Sequence, residues 1–342
     1  MSIVTRDRGP NGLPICQTPP YSIAINQLKA AKRELGRNIR LRCLFIEKDP
    51  DAYGKLASFA STVDDIEIHT LNARFEDSVD DIIAFVAADR NTFPFFLIDP
   101  KGWSIPLEII APLLRQQPGE VLITFMLEFI RRFADHPQPG IQKTIDDLYG
   151  EANIARRFDS VVGEDRDNLL LNEYVKQVQK VGNYNFASSS LVLHPEKSRR
   201  HFHLVYLTRH HRGIEVFKDA ERKAMADMET ARAMAAKRKR ESKGQIDLFP
   251  AEVLHNNEYF DGLRERYLAS NSLRMLELLQ SSGVVAYDEL WSNSLRSPLI
   301  WPSDVNSFLA DLVRQGRIEL IGLRERQRVP KFGSGNQVKF VK

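Results

Sequence analysis

Between residues 41 and 125 the sequence alternates short apolar runs with longer segments of helical period, and few architectures accommodate that alternation. The runs are Leu41-Arg-Cys-Leu-Phe-Ile46, Glu67-Ile-His-Thr-Leu71, Phe93 to Ile98 and Glu120 to Phe125. Each is too short for a buried helix, and apolar positions fill both faces, so each predicts a strand covered on both sides. The intervening segments predict helices over Ala52 to Ser61, about Val79 to Ala88 and residues 105–116, with another over 127–134. A further helix, from Ser22 as N-cap to Leu35, carries Ile23, Ile25, Leu28, Ala31 and Leu35 at helical spacing. Strands joined through helices run parallel, and such sheets bind ligands at the carboxyl ends of their strands. The polar residues Glu47, Asn72, Asp99 and Thr124 stand at or near those ends.

Residues 140–185 predict helix, with Leu169, Leu170, Tyr174 and Val178 in one stripe. Ser188 to Leu193 and Phe202 to Leu207 then read as strands joined by His194-Pro-Glu-Lys-Ser-Arg-Arg200, a connection short enough to require an antiparallel pair. A parallel sheet finished by such a pair is the Rossmann-like sheet of the class I methyltransferase type. Residues 214–242 predict a long charged helix with an Ala-rich stripe of Phe217, Ala220, Ala224, Met228, Ala231 and Ala235. It ends in Lys237-Arg-Lys-Arg240, and Gln245-Ile-Asp-Leu-Phe-Pro250 is a short apolar anchor in the polar linker beyond.

From Ser270 the order becomes helix (Leu273, Met275, Leu276, Leu279), short strand (Val284-Val-Ala286), helix (Leu290, Trp291) and a helix capped by Pro302-Ser303-Asp304. A hairpin closes the chain: Ile318 to Ile321, a basic loop, and Gln337 to Val341. That order is the winged helix. Three segments follow: a Rossmann-like methyltransferase-type domain over 1–213, a charged helix and linker over 214–269, and a winged-helix domain over 270–342.

The formal net charge is only +3, so local patches decide which polyanions could bind. Two cysteines without a C-x-x-C spacing give no disulfide framework, and Cys43 reads as a small core residue. The first twelve residues carry no apolar stretch after their charges, and no window is long and apolar enough to span a bilayer, which predicts a cytoplasmic protein without a membrane partner. P-loop, G-x-S-x-G and G-x-G-x-x-G patterns are absent from the sequence.

Glu47 is placed to accept hydrogen bonds from both hydroxyls of a nucleoside ribose, although it, Asp49 or Asp51 could equally serve the helix that follows. Asp99, ahead of Pro100, could face cofactor and substrate amine together or cap the next helix. Asn72 could meet an adenine edge or simply make a turn. Four histidines, His201, His203, His210 and His211, lack the ligand spacing of a zinc site, so no metal is expected. The turn Arg209-His-His-Arg212 reads as a basic loop for phosphate or solvent. Arg324, Arg326, Arg328 and Lys331 in the wing loop suit nucleic-acid phosphates, whereas the helix over 303–315 carries Asp304 and Asp311, which oppose them. The run Lys237–Arg240 reads as a solvated helix end or a second nucleic-acid contact.

The segments Phe45-Ile-Glu-Lys-Asp-Pro50, Phe96-Leu-Ile-Asp-Pro-Lys-Gly-Trp103, Glu120-Val-Leu-Ile-Thr-Phe-Met126 and Arg131-Arg-Phe133 resemble, in order and spacing, the three-Cys-motif partner proteins. So do Phe202-His-Leu-Val-Tyr-Leu-Thr-Arg-His210 and Gly213-Ile-Glu-Val-Phe217. The resemblance implies a methyltransferase-like fold, S-adenosylmethionine as cofactor with Glu47, Asn72 and Asp99 lining its pocket, Asp99 as the catalytic group, and a three-cysteine-motif protein as partner. Family members normally open with a strand and a glycine-bearing loop, Asp-x-Phe-Ala-Gly-x-Gly. This sequence enters the Gly/Pro-rich segment at once, so either its start is truncated or misplaced or cofactor binding has been lost, and the sheet as it stands is expected to lack that strand and its cofactor loop. Two readings result: a methyltransferase, with nucleic acid among its candidate substrates, or a non-catalytic partner and DNA-binding protein on a degenerate methyltransferase fold.

Overall fold

The structure is a computed structural model that describes residues 19–36, 39–100, 105–134, 136–158, 160–242 and 257–341. The fold is mixed α/β and divides into two units, Met1–Asn183 and Tyr184–Lys342. No helix among the described residues is long and apolar enough to cross a membrane.

In the first unit helices α1 (Pro20–Leu35), α2 (Pro50–Ala60), α3 (Val79–Ala87), α4 (Leu107–Leu114) and α5 (Leu127–Phe133) alternate with strands β1 (Arg42–Ile46), β2 (Glu67–Leu71), β3 (Phe95–Ile98) and β4 (Glu120–Phe125). The expected parallel pairing is present: β1 runs beside β2 from Arg42↔Glu67 to Ile46↔Leu71, and β3 beside β4 from Phe95↔Glu120 to Ile98↔Ile123. Among the described residues these two pairs belong to separate sheets. Tyr21, Ile25, Phe45, Leu56 and Ile66 form one core cluster, with half-buried Cys43 packed against it. Burial raises the Cys43 thiol above its ordinary pKa.

Two local expectations change. Ser22 is not the N-cap of α1; Pro20 occupies the first turn, where its missing N–H does no harm, and the Ser22 hydroxyl donates to Pro19 O at 2.8 Å. The helix expected over 140–185 is two, α6 (Pro139–Tyr149) and α7 (Gly163–Gly182), because Gly150 takes a left-handed φ of 65° and ends the first. Their aromatic contacts centre on Phe125, stacked on Tyr174 at 4.3 Å, while the Tyr149 hydroxyl donates to Leu170 O at 3.0 Å.

The second unit begins with β5 (Phe186–Leu193) and β6 (Arg200–Thr208), antiparallel as expected, with α8 (His211–Glu241) packed against both. Then follow α9 (Glu258–Ser282), β7 (Val284–Ala286), α10 (Tyr287–Leu295), α11 (Pro302–Arg314), β8 (Ile318–Ile321) and β9 (Gln337–Phe340), the strands in the order β7-β9-β8. α9 starts 12 residues before Ser270, where the sequence pattern places the change, and buries Leu263 and Tyr267 in that extra length. The short apolar anchor at 245–250 lies outside the described residues.

The buried face of α8 is not the Ala-rich stripe. Ala220, Ala224 and Ala231 are exposed, and Ile214, Lys218, Glu221, Met225, Arg232 and Ala233 are buried instead. Charged groups can face inward here because Lys218 and Glu221 neutralise each other one turn apart and find backbone partners outside the helix. Helical periodicity contains no trace of those partners.

Candidate functional site

The strand-end residues are placed first by backbone geometry. β1 stops at Ile46, and Asp49 takes the N-cap of α2, its carboxylate accepting from Asp51 N and Ala52 N at 3.1 and 2.9 Å. Glu47 is thereby released from that duty, but its Oε1 accepts from Asp49 N at 2.8 Å and the residue is only 4% exposed. Asn72, beyond the end of β2, donates from Nδ2 to Glu47 O at 2.9 Å. These two therefore come together, stitching the ends of one parallel pair.

Asp99 stands at the end of the other pair, half-buried, and accepts a hydrogen bond from the Thr124 side chain on β4. Burial raises the Asp99 carboxyl above its ordinary pKa, and the Thr124 bond only partly offsets that. Among the described residues no hydrogen bond or ion pair joins Asp99 to Glu47 or Asn72. The Glu47 carboxylate is thus partly committed to its own backbone, while Asp99 keeps the more open position. The loop residues after Pro100, 101–104, lie outside the described residues. Among the described residues no three His, Cys, Asp or Glu side chains converge as metal ligands.

The β8–β9 loop is organised differently. Asn336, 2% exposed, donates from Nδ2 to Gly322 O at 2.6 Å and accepts at Oδ1 from Gln327 Nε2 and Lys331 N at 2.9 and 3.0 Å. Gln327 Nε2 also donates to Val329 O at 2.8 Å, and its Oε1 accepts from Arg324 N at 3.1 Å. From α10, the Asp288 carboxylate accepts from Gly333 N at 3.0 and 3.1 Å. One buried amide, one glutamine and one aspartate thus hold a long polar loop in a single path. Arg326 sits within it at a left-handed φ of 70°, which a side chain tolerates only where neighbouring bonds over-determine the turn.

On this frame Arg324, Arg326, Arg328 and Lys331 are all exposed, and none has an ion-pair partner among the described residues. Four cations without ion-pair partners on a braced backbone give this loop a local positive charge exposed to solvent. The neighbouring helix α11 is less hostile than its two acids suggest. Asp304 accepts from Trp301 N at 2.8 Å and pairs with Arg264, and Asp311 pairs with Arg314, so both carboxylates already have cationic partners. At the end of α8, Lys237 pairs with Glu241, in keeping with a solvated helix terminus.

Sequence reasoning missed the residues that brace the loop. Asn336 and Gln327 carry no periodic signal; the nearest sequence cue is the Gly333-Ser-Gly335-Asn336 turn chemistry. It also missed the inward-facing pair of α8. Lys218 Nζ, fully buried, donates to Glu221 Oε2 at 3.0 Å, Ser189 O at 3.0 Å and Ser297 O at 2.7 Å, and Glu221 Oε1 accepts from Leu299 N at 3.1 Å. Burial lowers the Lys218 pKa, opposed by the Glu221 charge. His203 is buried too, with neither ring nitrogen hydrogen-bonded among the described residues, and burial holds its imidazole neutral with a pKa down to about 3.

No family model matches this sequence, and no curated protein matches it.

Proposed function

We propose that this chain binds nucleic acid through the β8–β9 loop, acting as the wing of a C-terminal winged-helix domain. One observation carries the reading: Arg324, Arg326, Arg328 and Lys331 are exposed and unpaired on a loop braced by buried Asn336. Each of these cations stands in solvent without an ion-pair partner among the described residues. Here the backbone is held and the charges are left for an outside partner, the arrangement that phosphate contacts require. The order helix, strand, helix, helix, hairpin around the β7-β9-β8 sheet supports the winged-helix assignment.

The test is fluorescence anisotropy of a labelled DNA duplex titrated across a range of salt. Neutralising all four cations to Gln should weaken binding and flatten the salt slope by up to about 0.9 for each phosphate no longer neutralised. An unchanged affinity and slope would remove the loop from the interface.

A second reading concerns the first unit, and the half-open Asp99 at the end of a parallel strand favours it. In that reading the unit is a methyltransferase-type domain in which Asp99, Asn72 and Glu47 receive S-adenosylmethionine, working beside a three-cysteine-motif partner protein. The fit is partial: Glu47 would have to exchange its bond to Asp49 N for a ribose hydroxyl. Calorimetric titration of S-adenosylmethionine into the full chain decides it. Heat that disappears in Asp99→Ala supports a cofactor site, and no heat leaves a non-catalytic binding protein.

A further inference from the structure

Outside the sites already described, the second unit holds a column of aromatic rings that ends in an exposed residue. Phe332, on the β8–β9 loop next to Lys331, lies 4.9 Å from Trp291 and 5.7 Å from Phe186. Trp291 is 2% exposed, so Phe332 rests on a fixed base. His211 stacks on Phe332 at 4.5 Å with 18° between planes, and His210 stacks on His211 at 4.5 Å with 28°. His210 and Phe332 make no ring contact with each other. Two near-parallel rings that both stack on His211 without touching must lie on its opposite faces. The column therefore runs Trp291, Phe332, His211, His210, and its last ring is exposed.

His210 is held in place rather than free to rotate. Its Nδ1 accepts from Arg212 N at 3.2 Å as the N-cap of α8, leaving the proton of the neutral ring on Nε2. Arg212 itself is exposed and has no ion-pair partner among the described residues. A rigid, flat, exposed ring at the end of a stacked column, flanked by Arg212 and joined through Phe332 to the Lys331 end of the cationic loop, matches the chemistry of a nucleobase rather than of phosphate alone. An aromatic face accepts any base that is out of its stack, and nearby cations hold the adjoining backbone.

We infer that His210 is a stacking platform for an unpaired base, so that this chain prefers duplex DNA carrying a bulged nucleotide over fully paired DNA. The inference rests on the wing reading above. It adds to that reading a substrate class, since four cations alone would bind paired and bulged duplexes alike.

The experiment compares two duplexes of the same sequence, one fully paired and one with 2-aminopurine as a single-nucleotide bulge, at fixed salt and across a salt series. The wild-type chain should bind the bulged duplex about 10-fold more tightly and quench the 2-aminopurine emission. His210→Asn keeps an N-cap acceptor but has no ring. It should lose both the preference and the quenching while its salt slope stays that of the wild type. His210→Phe restores a ring face and should recover both. Equal wild-type affinity for the two duplexes, or a preference that survives His210→Asn, overturns the stacking inference while leaving the wing in place. Failure to bind either duplex, or a salt slope that ignores the four loop cations, overturns the wing and the platform together.

Discussion

Two groups of charges in the second unit take opposite courses. Lys218 and Glu221 are fully buried, and the three protons of the ammonium have three acceptors. The cations of the β8–β9 loop are exposed, and among the described residues they have no ion-pair partners at all. Both arrangements follow from one physical rule. A charge taken out of water must bring its partners with it, whereas a charge left in water needs none. The first group can therefore only hold the fold, and the second is free to meet something else. His203 is an exception among the inward-facing polar groups: buried without a hydrogen-bond partner among the described residues, it is accommodated by remaining neutral.

Breaking the buried pair should have the largest effect. Lys218→Met leaves the Glu221 carboxylate and two carbonyls without their cation, and urea unfolding should show a loss of about 3–5 kcal/mol. Lys218→Met combined with Glu221→Leu should recover only the part due to the uncompensated carboxylate, because Ser189 O, Ser297 O and Leu299 N then lose their side-chain partners. A single variant as stable as the wild type would mean that the pair is not part of the native framework.

The next effect is pH-dependent. The His203 imidazole titrates at about 3 in the folded chain against an ordinary 6.5, so the native state resists a proton that the unfolded chain accepts. The stability this confers is fully present above pH 6.5 and is lost as the pH falls towards 3. At pH 5 the loss from this one group amounts to about 2 kcal/mol, because a tenfold difference in proton affinity corresponds to about 1.4 kcal/mol. His203→Leu should flatten that part of the stability–pH profile; identical profiles would place a polar partner or solvent at the ring.

Comparable in size is the brace of the loop. Asn336→Ala removes bonds to Gly322, Gln327 and Lys331 and should cost about 1–3 kcal/mol, with faster hydrogen exchange at the Lys331 amide as its local signature. Unaltered exchange would show that the loop holds its path without Asn336. The smallest change in stability belongs to the free charges: Gln at 324, 326, 328 and 331 together should shift unfolding by no more than about 0.5 kcal/mol per site, in either direction. A large destabilisation there would show that the cations support the fold, and the contrast with Lys218 would collapse.

Much of the element order was legible in the amino-acid sequence. The four apolar runs are strands, their pairings are parallel, the short basic connection at 194–200 joins antiparallel strands, and the C-terminal element order matches the reading. These features depend on local periodicity, chain reach and turn chemistry, which neighbouring residues alone specify. The candidate sites were legible only in part. Asp99 and the four loop cations could be named from position and charge, and Asn72 and Glu47 lie together as their strand-end positions suggest. That the Glu47 carboxylate turns towards Asp49 N depends on a local bond no pattern marks.

What the sequence determined by itself was the order of the strands and most helices, though not every helix boundary, and which residue types stand at strand ends. The tertiary structure decided which face of α8 turns inward. Judged within the helix, an alanine stripe is the better candidate for burial than Lys218 and Glu221. The choice reverses because Ser189 O, Ser297 O and Leu299 N, distant in sequence, supply the hydrogen bonds that a buried charge demands. The same holds for the Trp291–Phe332–His211–His210 column, whose rings come from separate stretches of chain and stack only once the unit has folded.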